Sequence, residues 1–234
     1  MGRTVHLAPP LGELARRSRT PKLFASLFDL NSAYRPRSRC KLGTGAIAML
    51  ETLLVRCCAP TLAGIKTGCL FRCPCPAGEN LLPDICGWNR RLAGKGVCIL
   101  PMDRSAGSVL VYVYRPALLD RALACPAAAV LLRERGYAGD GTACLRQLRR
   151  HLAAGGAFPH EIGLFLGYPP EDVRGFLEHR TQGCRCVGWW RVYGDAAAAL
   201  RLFARYDKCT ALYAARHAAG VPLEKLTVAF PAGA

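Results

Sequence analysis

Apolar residues along this chain switch between a helical period and short continuous runs, and the switches are marked by Pro and Gly. "TGAIAMLETLLVRCC" (residues 44–58) predicts an amphipathic helix, and Pro60 forbids its simple continuation. Residues 79–92 allow another helix. "GVCILPM" and "SVLVYVYR" are β-rich runs separated by "DRSAG", which predicts a β-hairpin or two neighbouring strands. Pro116 suits the first turn of the next helix, and Pro126 should kink or split it. "TACLRQLRRHLAAGG" is a further helix, closed by its glycines.

"FPHEIGLFLGYPPEDVRGFLEH" (158–179) predicts a short helix, a tight turn and a second helix. Ile162, Leu166, Val173 and Phe176 take inward positions, Gly163 is small where the limbs cross, and Gly167 supplies a positive φ at the turn. "CRCVGWWRVYG" reads as a strand, which would send Trp189 and Trp190 to opposite faces, one into the core and one outward. Asp195 then caps a helix running to about Gly220, with Leu200, Phe203, Tyr206 and Tyr213 on its core stripe. Arg201, Arg205, Lys208 and Arg216 form a row on another face, interrupted by Leu212. That row reads as a solvated face, with phosphate contact as the alternative.

These elements describe a helix-rich α+β domain over residues 43–220, with a small sheet of three or four strands and a helix-turn-helix-like hairpin. A basic, Pro- and Arg-rich arm precedes it over residues 1–42, and a C-terminal tail of residues 221–234 follows.

Composition narrows the classes. With 51% hydrophobic and 21% charged residues over 234 positions, the chain suits one globular domain plus an arm. No apolar run approaches the ~18–20 residues that cross a bilayer, and the N-terminus lacks a secretory apolar core. A cytoplasmic protein is expected. Thirteen Cys is an odd count in a chain of this size, and points to reduced, mostly buried thiols rather than a disulfide framework. The net charge is +16; of 32 basic residues six are Lys and 26 are Arg. Genomic base composition accounts for such a bias, and so does an anionic partner.

Three places carry candidate chemistry. In the hairpin, His160 and Glu161 open the first limb, where a neutral His can exchange protons and exposed N–H groups can hold an anion. The bland alternative is local packing or capping. "HEIGL" lacks the second His of a zinc-protease helix. A nucleic-acid-binding or regulatory protein using the basic arm and the hairpin is the alternative function, disfavoured because residues 160–180 hold four acids against two bases and Glu171 and Asp172 occupy the second limb's first turn. In "CCAPTLAGIKTG", Thr61 and Lys66 could meet a phosphate or carboxylate, although no P-loop pattern is present. The third place is the Trp190 strand. A pocket built from Thr61, Lys66, His160, Glu161, Tyr168 and Trp190 would bind a small molecule or anion. Separately, Cys69, Cys73, Cys75 and Cys86 lie within eighteen residues and could hold zinc or an iron–sulfur cluster. Their C-x3-C-x-C spacing matches no standard site, so no cofactor is predicted.

"CAPTLAGIKTGCLF", "FPHEIGLFLGYPPEDVRGF" and "GWWRVYGDAAAALRLFARYDKC" together resemble an uncharacterised domain-of-unknown-function family of anaerobic, clostridial-type bacteria. Its members carry C-A-P-T-L-A-G-x-K, P-H-E-I-G-x-F-L-G-Y-P-x-E-D-V and G-Y-W-K-V-Y. The likeness spans about Leu54 to Cys209, with Trp189 in place of the usual aromatic and Arg191 in place of Lys. It implies a bacterial cytosolic protein, brings no activity with it, and directs attention to Thr61–Lys66, His160–Val173 and Trp190–Tyr193.

Overall fold

The computed structural model describes residues 45–229 apart from Ala77 and Ala106, with side chains from Met49 onward. The basic arm expected over residues 1–42 lies outside the described residues. The chain is α+β: helix α1 (Gly45–Leu62), strand β1 (Gly68–Pro74), α2 (Leu82–Leu92), β2 (Cys98–Ser105) and β3 (Ser108–Tyr114) come first. Then follow α3 (Pro116–Ala124), α4 (Pro126–Glu134), α5 (Gly141–Ala153), α6 (Ile162–Phe165) and α7 (Pro170–His179). The short strands β4 (Cys186–Val187) and β5 (Arg191–Val192), the long α8 (Ala196–Ala218) and α9 (Leu223–Leu226) complete the order. Among the described residues no helix is long and apolar enough to cross a membrane.

The main sheet is antiparallel in the order β1-β3-β2, with Tyr114 opposite both Gly68 and Cys98. β3 is central and covered on both faces, which is why "VLVYV" is apolar without alternation. Its two faces feed two cores. Leu70, Leu110 and Tyr112 point toward α3–α7 and the first half of α8. Cys69, Phe71, Val109, Val111 and Val113 point toward α1, α2, α9 and Tyr213 of α8. The long helix α8 serves both cores, through Phe203 and Tyr206 on one side and Tyr213 on the other.

Several expected boundaries hold for their expected reasons. Pro126 splits the helical stretch into α3 and α4. Asp195 accepts from Ala198 N at 2.9 Å as the cap of α8. Gly167 adopts φ 77° at the hairpin turn, and a Cβ there would also stand 2.5 Å from Thr67 Oγ1. At Gly163 a Cβ would stand 2.8 Å from Val173 Cγ2, so the limbs do cross at that residue.

Two expectations are corrected and one stretch without an expected element is assigned. Helix α1 runs through Pro60 to Leu62. Pro60 removes a bond only in the helix's last turn, opposite exposed Arg56, and its own carbonyl accepts from Ile65 and Lys66 N–H. The thiol-rich stretch "GCLFRCP", for which no element was expected, is a strand, because alternate residues Cys69, Phe71 and Cys73 enter the same core. Trp189 and Trp190 do not alternate across a strand. Gly188–Trp190 joins β4 to β5, closed by Gly188 N to Trp190 O at 3.0 Å, and both indoles are buried in one core.

Gly167→Val should therefore destabilise by roughly 2–4 kcal/mol, adding left-handed strain to overpacking against Thr67. Urea denaturation checks this, and a midpoint equal to wild type would refute this account of the turn.

Candidate functional site

The residues singled out in sequence sort into three separate groups. The first is built on Lys66, in the loop between α1 and β1. Its ammonium is buried and donates to the Leu166 carbonyl at 2.8 Å and to the Gly68 carbonyl. Leu166 ends the hairpin's first limb, so this Lys ties the hairpin to the edge of the main sheet. Lys66 Nζ also lies 5.1 Å from the centre of the Tyr168 ring, and that ring stacks on Trp190 at 4.6 Å. The Trp190 indole N–H donates to Asp172 Oδ2 at 2.7 Å. The other Asp172 oxygen accepts from Tyr193 N and Gly194 N, at 2.7 and 2.8 Å. Thus Lys66, Tyr168 and Trp190 do come together, but as one wall of a filled core. Thr61 lies at the end of α1, where its carbonyl accepts from Arg115.

Burial pushes the Lys66 pKa down from 10.5 to about 8, against the pull of the Cys69 and Cys58 thiols. The hydrogen bond from Cys58, with help from Lys66, holds the Cys69 thiol below its usual value despite burial. Burial drives Cys58 well upward.

The second group is His160. Its ring sits edge-on to Phe158 and Phe176, at 5.5 and 5.0 Å, and burial followed by Arg180 lowers its pKa.

The third group centres on Glu161, whose carboxylate is buried away from Lys66. Tyr137 OH donates to Glu161 Oε1 at 2.9 Å. His151 Nδ1 lies 3.2 Å from the same hydroxyl and 4.0 Å from Glu161 Oε1. Burial, reinforced by the Glu161 charge, raises the Tyr137 pKa and keeps the phenol protonated as a donor. The result is a relay from a half-exposed imidazole through a phenol to a buried carboxylate. Sequence reasoning found Glu161 and missed Tyr137 and His151, which lie on other elements. The signal available was Tyr137 alone between Gly136 and Gly139, an aromatic residue with no period to explain it.

Tyr137 also lines a cleft of about 720 Å³ between α3, α4 and the turn into α5. Leu123 and Ala129 are among its apolar lining residues, and Asp120, Arg133 and Asp140 also line it. Lys66, His160 and Trp190 are not on its walls.

The cysteine candidates separate. Cys69, Cys73 and Cys75 are buried in the second core, whereas Cys86 is exposed on α2. Among the described residues no group of three or more His, Cys, Asp or Glu side chains converges on a metal-sized space.

The family described as "Protein of unknown function (DUF3793)" matches residues 54–227, and the chain belongs to that family. No curated protein and no solved structure gives a significant match.

Lys66 makes a signed prediction. Its folded-state pKa is below its unfolded value, so the cost of burying the charge is full below pH 8 and is relieved as pH rises toward 10.5. Compared with Lys66→Met at each pH, wild type should gain on the order of 3 kcal/mol over that window. Using the difference between the two proteins removes most of the titration of the other thiols and phenols. Chemical denaturation at stepped pH measures it, and a flat difference would contradict the burial of this amine.

Proposed function

We propose that this domain binds a small organic molecule in the cleft beside Tyr137, with the Tyr137–Glu161–His151 relay providing proton exchange at its wall. The observation that supports this reading is the coincidence of a cleft of about 720 Å³ with a buried carboxylate network that shares Tyr137 with it. Concave, mostly apolar spaces with a few polar groups are where small ligands bind. The apolar lining residues suit a compact hydrocarbon body. Asp120 and Asp140 favour a polar head with hydrogen-bond donors, such as an amine, and Arg133 offers one anion contact.

This reading replaces a pocket made from Lys66, His160 and Trp190, because Lys66 and Trp190 are occupied within the core and His160 stands between Phe158 and Phe176 rather than on the cleft. It keeps Glu161, now partnered by Tyr137 and His151 rather than by Lys66. A group that holds a proton between imidazole, phenol and carboxylate is suited to general acid–base chemistry once a substrate lies within hydrogen-bond reach.

Thermal denaturation against a panel of amine-, carboxylate- and phosphate-bearing metabolites tests it. A ligand at about 100 times its Kd should stabilise by about 2.7 kcal/mol, raising Tm by roughly 5–10 °C for a chain of this size. Ala129→Trp, which fills the cleft from a half-buried position, should abolish the shift. His160→Ala, outside the cleft, should retain it. Loss of the shift in His160→Ala with retention in Ala129→Trp would overturn the assignment.

A further inference from the structure

Helix α8 presents a face that the described residues leave uncovered. Arg201, Arg205, Lys208 and Arg216 are all exposed on it, and Leu212 among them is 51% exposed. At 3.6 residues per turn these five positions fall within a sector of roughly 80°, and the row extends about 22 Å along the axis. The opposite face is buried through Phe203, Tyr206 and Tyr213, so the row cannot be an artefact of a helix free to turn.

Among the described residues none of the four cations is in an ion pair. The carboxylates of the helix and its cap are committed elsewhere. Asp195 accepts from Ala198 N and feels Arg201 only across the first turn. Asp207 accepts the Trp189 indole N–H at 3.0 Å. Ala204, Ala211 and Ala215 flank the row and are exposed, so no bulky side chain keeps a partner's backbone off the helix.

We propose that this face of α8 binds the phosphate backbone of a nucleic acid. A line of exposed, unneutralised cations fits a polymer with charge repeated every few ångströms, and Arg meets phosphate through its planar fork. Two other anionic partners fit less well. An acidic protein would need buried aromatic anchors, and the row offers a single Leu. A membrane-surface helix needs its apolar face free to enter lipid, and here that face is already in the core. The contacts read phosphate rather than base edges, so binding should depend little on sequence. This surface is independent of the cleft beside Tyr137, and either assignment can fail alone.

The test is fluorescence anisotropy of labelled single-stranded and duplex oligonucleotides with the full chain over a salt series. Four phosphate contacts predict a slope of log K against log salt of about −3 to −4 from this face. The combined variant Arg201→Gln, Arg205→Gln, Lys208→Gln, Arg216→Gln removes only exposed side chains, and a circular dichroism melt verifies its fold. It should bind at least roughly 100-fold more weakly at low salt, with the slope shallower by about 3 units. A variant that binds like wild type would overturn the proposal, since the remaining basic residues would then carry the interaction. So would absence of binding by wild type, or equal charge-dependent binding to anionic vesicles or polyglutamate.

Discussion

A buried guanidinium holds this fold together. Arg115 is fully buried, and it donates to the carbonyls of Thr61, Leu62, Lys95 and Val228 at 2.6–2.9 Å. Thr61 and Leu62 end helix α1, where carbonyls lack partners along the axis and the helix dipole favours a cation. The backbone of Arg115 meanwhile joins β3 to α3, with its N–H on the Thr67 carbonyl. One residue therefore connects the central strand, the end of α1, the turn before β2 and the segment after α9. Lys66 does the corresponding work nearby, donating to carbonyls on β1 and on the hairpin. Both cations satisfy backbone acceptors at places where regular secondary structure stops. This is how the junction of the two cores can be buried and still polar.

The consequence for function is a division of labour. The Lys-bearing loop, the hairpin and the Trp-bearing turn are drawn together into a network running from Lys66 through Tyr168 and Trp190 to Asp172. Its polar groups are largely spent on one another and on backbone. The groups proposed to act lie at the periphery, in the cleft beside Tyr137 and on the outer face of α8.

Much of the fold was readable wherever one physical cause decided the outcome. β3 is a continuous apolar run because both its faces are covered, and Gly167 marks a turn that requires positive φ. Asp195 announces a helix it does cap. β1 was obscured because Cys serves equally as core residue and as ligand, so its alternation did not by itself announce a strand. Trp189 and Trp190 misled because alternation holds only inside a strand, and the chain turns between β4 and β5. Arg115 was one arginine among 26, placed before a Pro that drew attention to the helix instead. The relay of Tyr137, His151 and Glu161 had little sequence signal beyond Glu161 itself and Tyr137 alone among glycines, since α5 and the hairpin bring its members together only in three dimensions.

Equilibrium denaturation of Arg115→Met tests the central claim most directly. The variant keeps the apolar stem and leaves four carbonyl acceptors without their shared donor. Thr61 and Leu62 still accept from the backbone N–H groups of Gly64 and Val228, whereas the Lys95 and Val228 carbonyls lose the Arg115 donor, and leaving buried acceptors unpaired costs roughly 2–5 kcal/mol in total. The loss should reach both cores, so the transitions seen at Trp88 in one and Trp190 in the other should shift together. A loss under about 1 kcal/mol, or a shift confined to one of these tryptophans, would contradict the account.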